Sequence, residues 1–277
     1  MRILKALLHT LLSLLGAAIV AVLVSRLFDR EGGDILFSVR EVRITVPGIG
    51  AALAILTMLL FALMFRSDQR KRNLSSGGIG NKLNALGFGL LPGTAVWKIF
   101  EQQTILAEGK AVFDPLPAME FFTENRLFVP SRIEMVLAVA AFVFLVIWLI
   151  ARRNDIPGNG DLFWTVLCVW GQLRAFTEFF RGTSFLRIGN IQTAQVILLL
   201  LSMIPLAVWT FRTAENKKSS ALKLAEWMAV LICATATVLI TSGTLTVDIR
   251  IGDLAVCAGC MGLSILLILL AGKDSRT

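Results

Sequence analysis

Residues Ile133–Ala151 read IEMVLAVAAFVFLVIWLIA, and this stretch decides the fold class. A block of about 18 or more apolar residues is long enough, as a helix, to cross roughly 30 Å of hydrocarbon. No helical or strand period interrupts the block to leave one face for water. Inside hydrocarbon every backbone N–H and C=O must be paired within the segment, which favours a helix. Working outward, comparable blocks occur at residues 3–25, Val46–Phe65, Leu162–Phe180, Ile191–Phe211, Leu224–Ser242 and Leu254–Ala271. A weaker, glycine-rich block covers Ile79–Phe100, where Asn81, Lys82, Asn84 and Lys98 interrupt the apolar run. The composition agrees, with 56% hydrophobic and 17% charged residues and a mean hydropathy of +0.76. The short alternating segments of a membrane β-barrel are missing. The expectation is an all-α, polytopic membrane helix bundle of about eight transmembrane helices. Residues 1–277 then form a single membrane domain, with an N-terminal anchor helix over 1–27 and an outer loop over 101–132.

Orientation follows from Lys and Arg in the short loops, because cytoplasmic loops carry the excess. With the N-terminus inside, one side receives Arg2, Lys5, the 66–72 cluster, Arg152, Arg153, Arg212, Lys217, Lys218, Lys223, Lys273 and Arg276. The opposite side receives the mixed, acid-rich loops Asp29–Arg43 and Glu101–Arg132. The predicted protein is multi-pass in the cytoplasmic (inner) membrane, with both termini cytoplasmic. The formal charge of +8 is mostly this asymmetry. Scattered over separate short loops, the basic residues make no nucleic-acid surface. The first block is longer than the usual signal-peptide core, and no small-x-small cleavage site stands before Arg26, so a retained anchor is expected.

The four cysteines, Cys168, Cys233, Cys257 and Cys260, all fall inside spans. Cys257 and Cys260 have CxxC spacing but no second ligand pair, which reads as buried packing rather than a metal site. The expectation is no metal and no cofactor. Chemistry must come from ionisable groups that the bilayer would normally exclude. The clearest set lies at the outer end of the fifth block, where Arg174, Glu178 and Arg181 follow one another at i, i+4 and i+7. On a helix these make one stripe, and Arg174 can pair with Glu178. Arginine also grips phosphate oxygens with a fork of donors. Spacing alone leaves two readings: an anion grip, or an ion pair that locks helices while Arg181 reaches to the interface.

Around that stripe the chain reads Gly160-Asp-Leu-Phe163, Gly171-x-x-Arg174-x-x-x-Glu178-Phe-Phe-Arg181 and Gly189-Asn-Ile-Gln-Thr-Ala-Gln195. This resembles the C-terminal segment of the prolipoprotein diacylglyceryl transferase family, with a family-like core over residues 77–211. Pro130-Ser131 resembles the family's Pro-Ser-Gln-Leu-Tyr-Glu motif, whose Tyr and Glu positions hold Glu134 and Met135 here. Lys98-Ile-Phe-Glu101 echoes the family's Gly-Arg-x-Gly-Asn signature, with Lys for Arg and Glu for Asn. The family's His-Gly-Gly segment has no counterpart, the only histidine is His9, and tyrosine is absent.

The resemblance implies a bacterial enzyme of lipoprotein biosynthesis. It would transfer diacylglyceryl from phosphatidylglycerol, or a related anionic phospholipid, to the cysteine thiol in the signal region of a lipoprotein precursor. The implied catalytic residues are Arg174 on the phosphate, Glu178 orienting it, and Glu101 as the base in place of the missing histidine. Implied substrate-binding residues are Lys98, Arg181, Gln195, Ser131 and Asn190. The alternative is an inactive family member that binds lipid or docks partners on the membrane. A transporter would call for broken helices in repeated halves, and only residues 77–100 read as broken, their glycines permitting close packing or a re-entrant bend. In the outer loop Phe113-Asp-Pro-Leu-Pro117 is turn chemistry, and Met119, Phe121, Phe122, Leu127 and Phe128 are apolar among charged residues. This reads as a short amphipathic helix on the membrane surface, either covering the lipid entrance or receiving a signal peptide, or else as a plain connection packed over the bundle.

Overall fold

The computed structural model describes residues 2–29, 35–39, 42–71, 78–101, 109, 117–125, 127–151, 160–181, 187–188, 191–212, 220–241 and 251–274. Every apolar block of the sequence is a helix. In chain order the elements are α1 (Arg2–Asp29), β1 (Ile35–Val39), β2 (Val42–Thr45), α2 (Val46–Lys71) and α3 (Ile79–Glu101). A 3-10 turn (Pro117–Phe122) and the short strands β3 (Thr123–Glu124) and β4 (Leu127–Phe128) precede α4 (Pro130–Ala151) and α5 (Asp161–Glu178). The strands β5 (Arg187–Ile188) and β6 (Ile191–Gln192) lead into α6 (Thr193–Arg212), α7 (Ser220–Thr241) and α8 (Ile251–Asp274). Each strand pair is a two-stranded antiparallel hairpin.

Among the described residues, four segments are long and apolar enough to cross a membrane: Val46–Gln69, Pro130–Ala151, Thr193–Arg212 and Lys223–Ile240. Their outward faces carry Leu60, Leu63, Val143, Phe144, Ile147, Leu200, Ile232 and Leu239, all exposed. Side chains of that kind, ringing several helices, suit a hydrocarbon solvent. Among the rest, α3 and α5 carry ionisable residues along their length, and those residues build the candidate sites.

The chain forms two compact units: Met1–Glu108 with Val129–Phe163, and Gly109–Phe128 with Trp164–Thr277. In the first unit, Thr45 caps α2 by accepting the Gly48 N–H on its hydroxyl at 3.3 Å. This satisfies one of the amides that a helix start leaves without an intrahelical partner. The Thr45 N–H is in turn bonded to the Ser25 hydroxyl of α1 at 3.0 Å. The glycine-rich third block proves to be one continuous helix rather than a re-entrant bend, with Pro92 accommodated inside it. Its glycines are contact points. A Cβ at Gly93 would lie 2.9 Å from the Ala54 carbonyl oxygen, and one at Gly89 would collide with the Met58 carbonyl of α2. Small residues at such crossings let two backbones approach. Beside them Phe65 stacks on Phe88 at 4.9 Å, and Phe142 from α4 meets Phe61 edge-on at 5.2 Å.

Asn84, which breaks the apolar run in the sequence, is fully buried and structural. Its Oδ1 accepts the N–H groups of Leu162 at 3.0 Å and Phe163 at 3.4 Å, so α3 supplies the cap for the first turn of α5. Asn84→Ala is expected to lower stability by about 1–2 kcal/mol, since the buried Leu162 amide and the partly buried Phe163 amide lose their acceptor. Thermal unfolding in detergent measures this, and an unchanged midpoint would mean that water replaces the cap.

In the second unit, Cys168, Met203, Leu206, Trp209, Val230 and Ile268 form a buried cluster joining α5, α6, α7 and α8. Trp227 donates its indole N–H to the Thr210 hydroxyl at 3.2 Å, pinning α7 to α6. The helices α5 and α6 cross at Gly171, where a Cβ would come within 2.8 Å of the Ser202 Cβ. Of the cysteines, Cys168, Cys233 and Cys257 are buried thiols outside any disulfide, and Cys260 is half-buried.

The connection over residues 101–132 differs from expectation. Its described part is the 3-10 turn and the β3–β4 hairpin, not an amphipathic helix. Asn125, in the left-handed region at φ 50°, makes the hairpin turn that ends any helix there. Aromatic contacts hold this segment to the end of α5, with Phe128 edge-on to Phe180 at 5.0 Å.

Candidate functional site

Two groups of buried ionisable residues stand out, one in each unit. The group in the second unit sits where α5 ends. Arg174 and Glu178 lie on the helix, one turn apart, as the spacing predicts. Arg181 does not continue the stripe. The helix stops at Glu178 and the chain tightens through i→i+3 bonds, from Phe180 N–H to the Thr177 carbonyl at 3.1 Å and from Arg181 N–H to the Glu178 carbonyl at 3.2 Å. That tighter turn still returns Arg181 to the same carboxylate. Its Nε lies 3.0 Å from Glu178 Oε1, while Nη2 of Arg174 lies 3.8 Å from the same oxygen.

One carboxylate oxygen therefore serves two guanidiniums, and the three side chains sum to a formal charge of +1. Arg174 is the more accessible cation, with 23% of its side chain exposed against 10% for Arg181. Its guanidinium lies over the Trp170 ring at 5.7 Å, one helical turn back. That contact restricts an otherwise flexible side chain and adds a cation–π attraction. Trp170 was not legible as a site residue, although an aromatic four residues before an arginine on a helix is a usable signal. Gln195 is buried and donates its amide N–H to the Ala175 carbonyl at 3.1 Å, which ties the start of α6 to the helix that bears Arg174. One turn lower on α5, Gln172 bonds the Ser202 hydroxyl at 2.8 Å. At Arg181, just past the end of α5, the backbone pairs with Gly109 in an isolated antiparallel bridge. Asn190 lies outside the described residues.

In the first unit, the last turn of α3 and the first turn of α4 bring together Lys98, Glu101 and Glu134. Lys98 is fully buried, and its ammonium bonds Glu101 on its own helix and Glu134 Oε2 across the helix pair at 2.9 Å. Both carboxylates are buried as well. A charge in such a place is tolerated when it is paired, and here one cation is shared by two anions. The helix α4 begins at Pro130, earlier than the apolar block suggests, so Ser131 and Glu134 fall one turn apart on one face. Ser131 is buried, and its hydroxyl has no hydrogen-bond partner among the described residues.

Of the predicted site residues, the structure thus gathers Arg174, Glu178 and Arg181 in one group, with Gln195 bonded to the backbone of the same helix at Ala175. Lys98, Glu101 and Ser131 lie on the facing turns of α3 and α4. The sequence reading passed over Glu134 as a site residue. Its signal was nevertheless present, as an ionisable residue inside the most apolar block of the chain. Among the described residues no cluster of His, Cys, Asp and Glu could hold a metal ion.

The sequence model of prolipoprotein diacylglyceryl transferase matches residues 73–211, about half of the chain, and takes in α3 to α6 with both groups of ionisable residues. No curated protein and no solved structure matches the chain.

Proposed function

The chain belongs to the prolipoprotein diacylglyceryl transferase family, and from that premise we propose that it transfers diacylglyceryl from an anionic phospholipid to a lipoprotein-precursor thiol at the outer face of the bacterial inner membrane. The observation that carries this reading is the group at the end of α5: two guanidiniums on one carboxylate, with Arg174 the more accessible. A phosphodiester head group such as that of phosphatidylglycerol carries one negative charge and planar sets of oxygens that suit a guanidinium fork.

The reaction breaks the thiol S–H bond and forms a bond from sulfur to the glyceryl carbon. The C–O bond to phosphate breaks, its electron pair stays on the phosphate oxygen, and glycerol phosphate leaves. Charge therefore grows on the phosphate as the bond opens, and a fixed cation there stabilises the transition state more than the bound lipid. Arg174 has this role, with Arg181 assisting. Glu178 orients both, and Gln195 holds the helix in register. Glu101 receives the thiol proton, because the chain lacks the histidine-bearing segment of its family and thiolate is the reactive form of the acceptor. Ser131 and Asn190 are the remaining head-group contacts in this assignment.

The test is a lipidation assay with purified protein, phosphatidylglycerol vesicles and a synthetic lipobox peptide. A thioether-linked diacylglyceryl peptide, seen as the mass gain on the cysteine, is the expected result. No product under conditions where an authentic family enzyme turns over would favour the other reading of the diverged motifs, an inactive member that binds lipid or docks partners.

A further inference from the structure

Resting on the proposed transferase chemistry, we infer that Glu134 is a positioning residue for the base Glu101, and that Lys98 belongs with the base rather than with the phosphate grip. The observation is the shared ammonium. Lys98 is fully buried between Glu101, three residues away on α3, and Glu134, which reaches it from α4 at 2.9 Å. A lysine placed to hold phosphate must present its charge to the ligand. This one has both carboxylates within bonding distance and no exposed surface.

The consequence for Glu101 follows from charge. An ammonium bonded to one carboxylate alone stabilises its negative form and makes it reluctant to accept a proton. A second carboxylate on the same ammonium divides that attraction. Glu134 thereby keeps Lys98 from being committed to Glu101, while Lys98 still fixes where the Glu101 carboxylate points. In the reaction the thiol proton moves to Glu101, sulfur bonds the glyceryl carbon, and the proton passes from Glu101 to the departing phosphate or to water. Glu134 and Lys98 exchange no atoms in this sequence.

The arrangement makes an unusual prediction about paired substitutions. Glu134→Gln leaves Lys98 wholly to Glu101 and is expected to lower kcat about a hundredfold, with KM for phosphatidylglycerol within about twofold of the wild type. The double variant Lys98→Met/Glu134→Gln relieves Glu101 of that cation and is expected to recover about tenfold or more over the single variant. Lys98→Met alone keeps both carboxylates and is expected to leave the phospholipid KM within about twofold.

The experiment is steady-state lipidation by the full-length protein in mixed micelles, with the fold of each variant checked by circular dichroism. Equal loss in the single and double variants would make Glu134 a merely structural bridge and overturn the inference. So would wild-type kcat in Glu134→Gln. Should Glu134→Gln not fold, Lys98→Met decides the point, since a rise in phospholipid KM of about tenfold or more would make Lys98 a phosphate ligand. Absence of transfer by the wild type would instead sink the transferase reading and this inference with it. Any of the other contrary results, in an active protein, removes the inference alone.

Discussion

Arg174→Ala reduces diacylglyceryl transfer by at least about a hundredfold in kcat, and Arg174→Lys recovers only a minor part of it. Removing one preorganised donor from a site of developing charge typically costs this much, because the donor is worth more in a water-poor site than in solution. Lysine returns the charge but neither the fork of donors nor the flat face that lies over Trp170. Arg181→Ala should cost less. Arg181 is less exposed and stands 3.0 Å from the Glu178 oxygen, closer than Arg174 does, so part of its role is to hold the carboxylate. The measurement is initial-rate lipidation of a lipobox peptide, alongside retention of phosphatidylglycerol by the purified variant. Normal lipidation by Arg174→Ala would remove the phosphate grip from α5 and leave the proposed mechanism without its main electrostatic element.

The second large effect is on folding. Gly89→Val is expected to destabilise the protein by about 3 kcal/mol or more. Its Cβ would collide with the Met58 carbonyl oxygen and come within 2.9 Å of the Met58 carbonyl carbon. Those are backbone atoms of α2, so no rotamer change relieves the overlap and the two helices must separate. Separation would also disturb the packing of Phe88 against Phe65 and Phe61. Gly262→Val on α8 is the matched control, because nothing lies within 4 Å of a Cβ at that position. Thermal unfolding and recovery of monodisperse protein after size exclusion read both variants. Similar midpoints for the two would mean that α2 and α3 are not closely packed in the membrane.

The two groups of ionisable residues show how far the sequence could be read. Arg174 and Glu178 were legible because a helical turn is a local relation, and i, i+4 residues must be neighbours wherever the helix lies. Arg181 was legible as a member of that stripe, but its pairing with Glu178 was not. The helix ends before it, and an i→i+3 turn rather than a seventh-residue repeat brings it back. In the outer segment, apolar residues among charged ones looked amphipathic. A residue in the left-handed region and two-residue strands made a hairpin instead. Turn geometry of that kind is weakly written in composition.

By itself the sequence determined the solvent of this protein, the number and position of its helices, and the family to which it belongs. Hydropathy over a span is a sum along the chain, so no partner is needed to evaluate it. Only the tertiary structure decided what its polar residues do. Asn84 looked like an interruption and is a cap for α5. Lys98 looked like a substitute for a phosphate-binding arginine and is held between Glu101 and Glu134. Gln195 looked like a ligand contact and bonds the Ala175 carbonyl. In each case a deciding partner comes from another helix, as Glu134 of α4 does for Lys98. Which residues meet across a helix pair depends on crossing point and rotation, set here by glycines that admit a neighbouring backbone, and that relation is not a property of either segment alone.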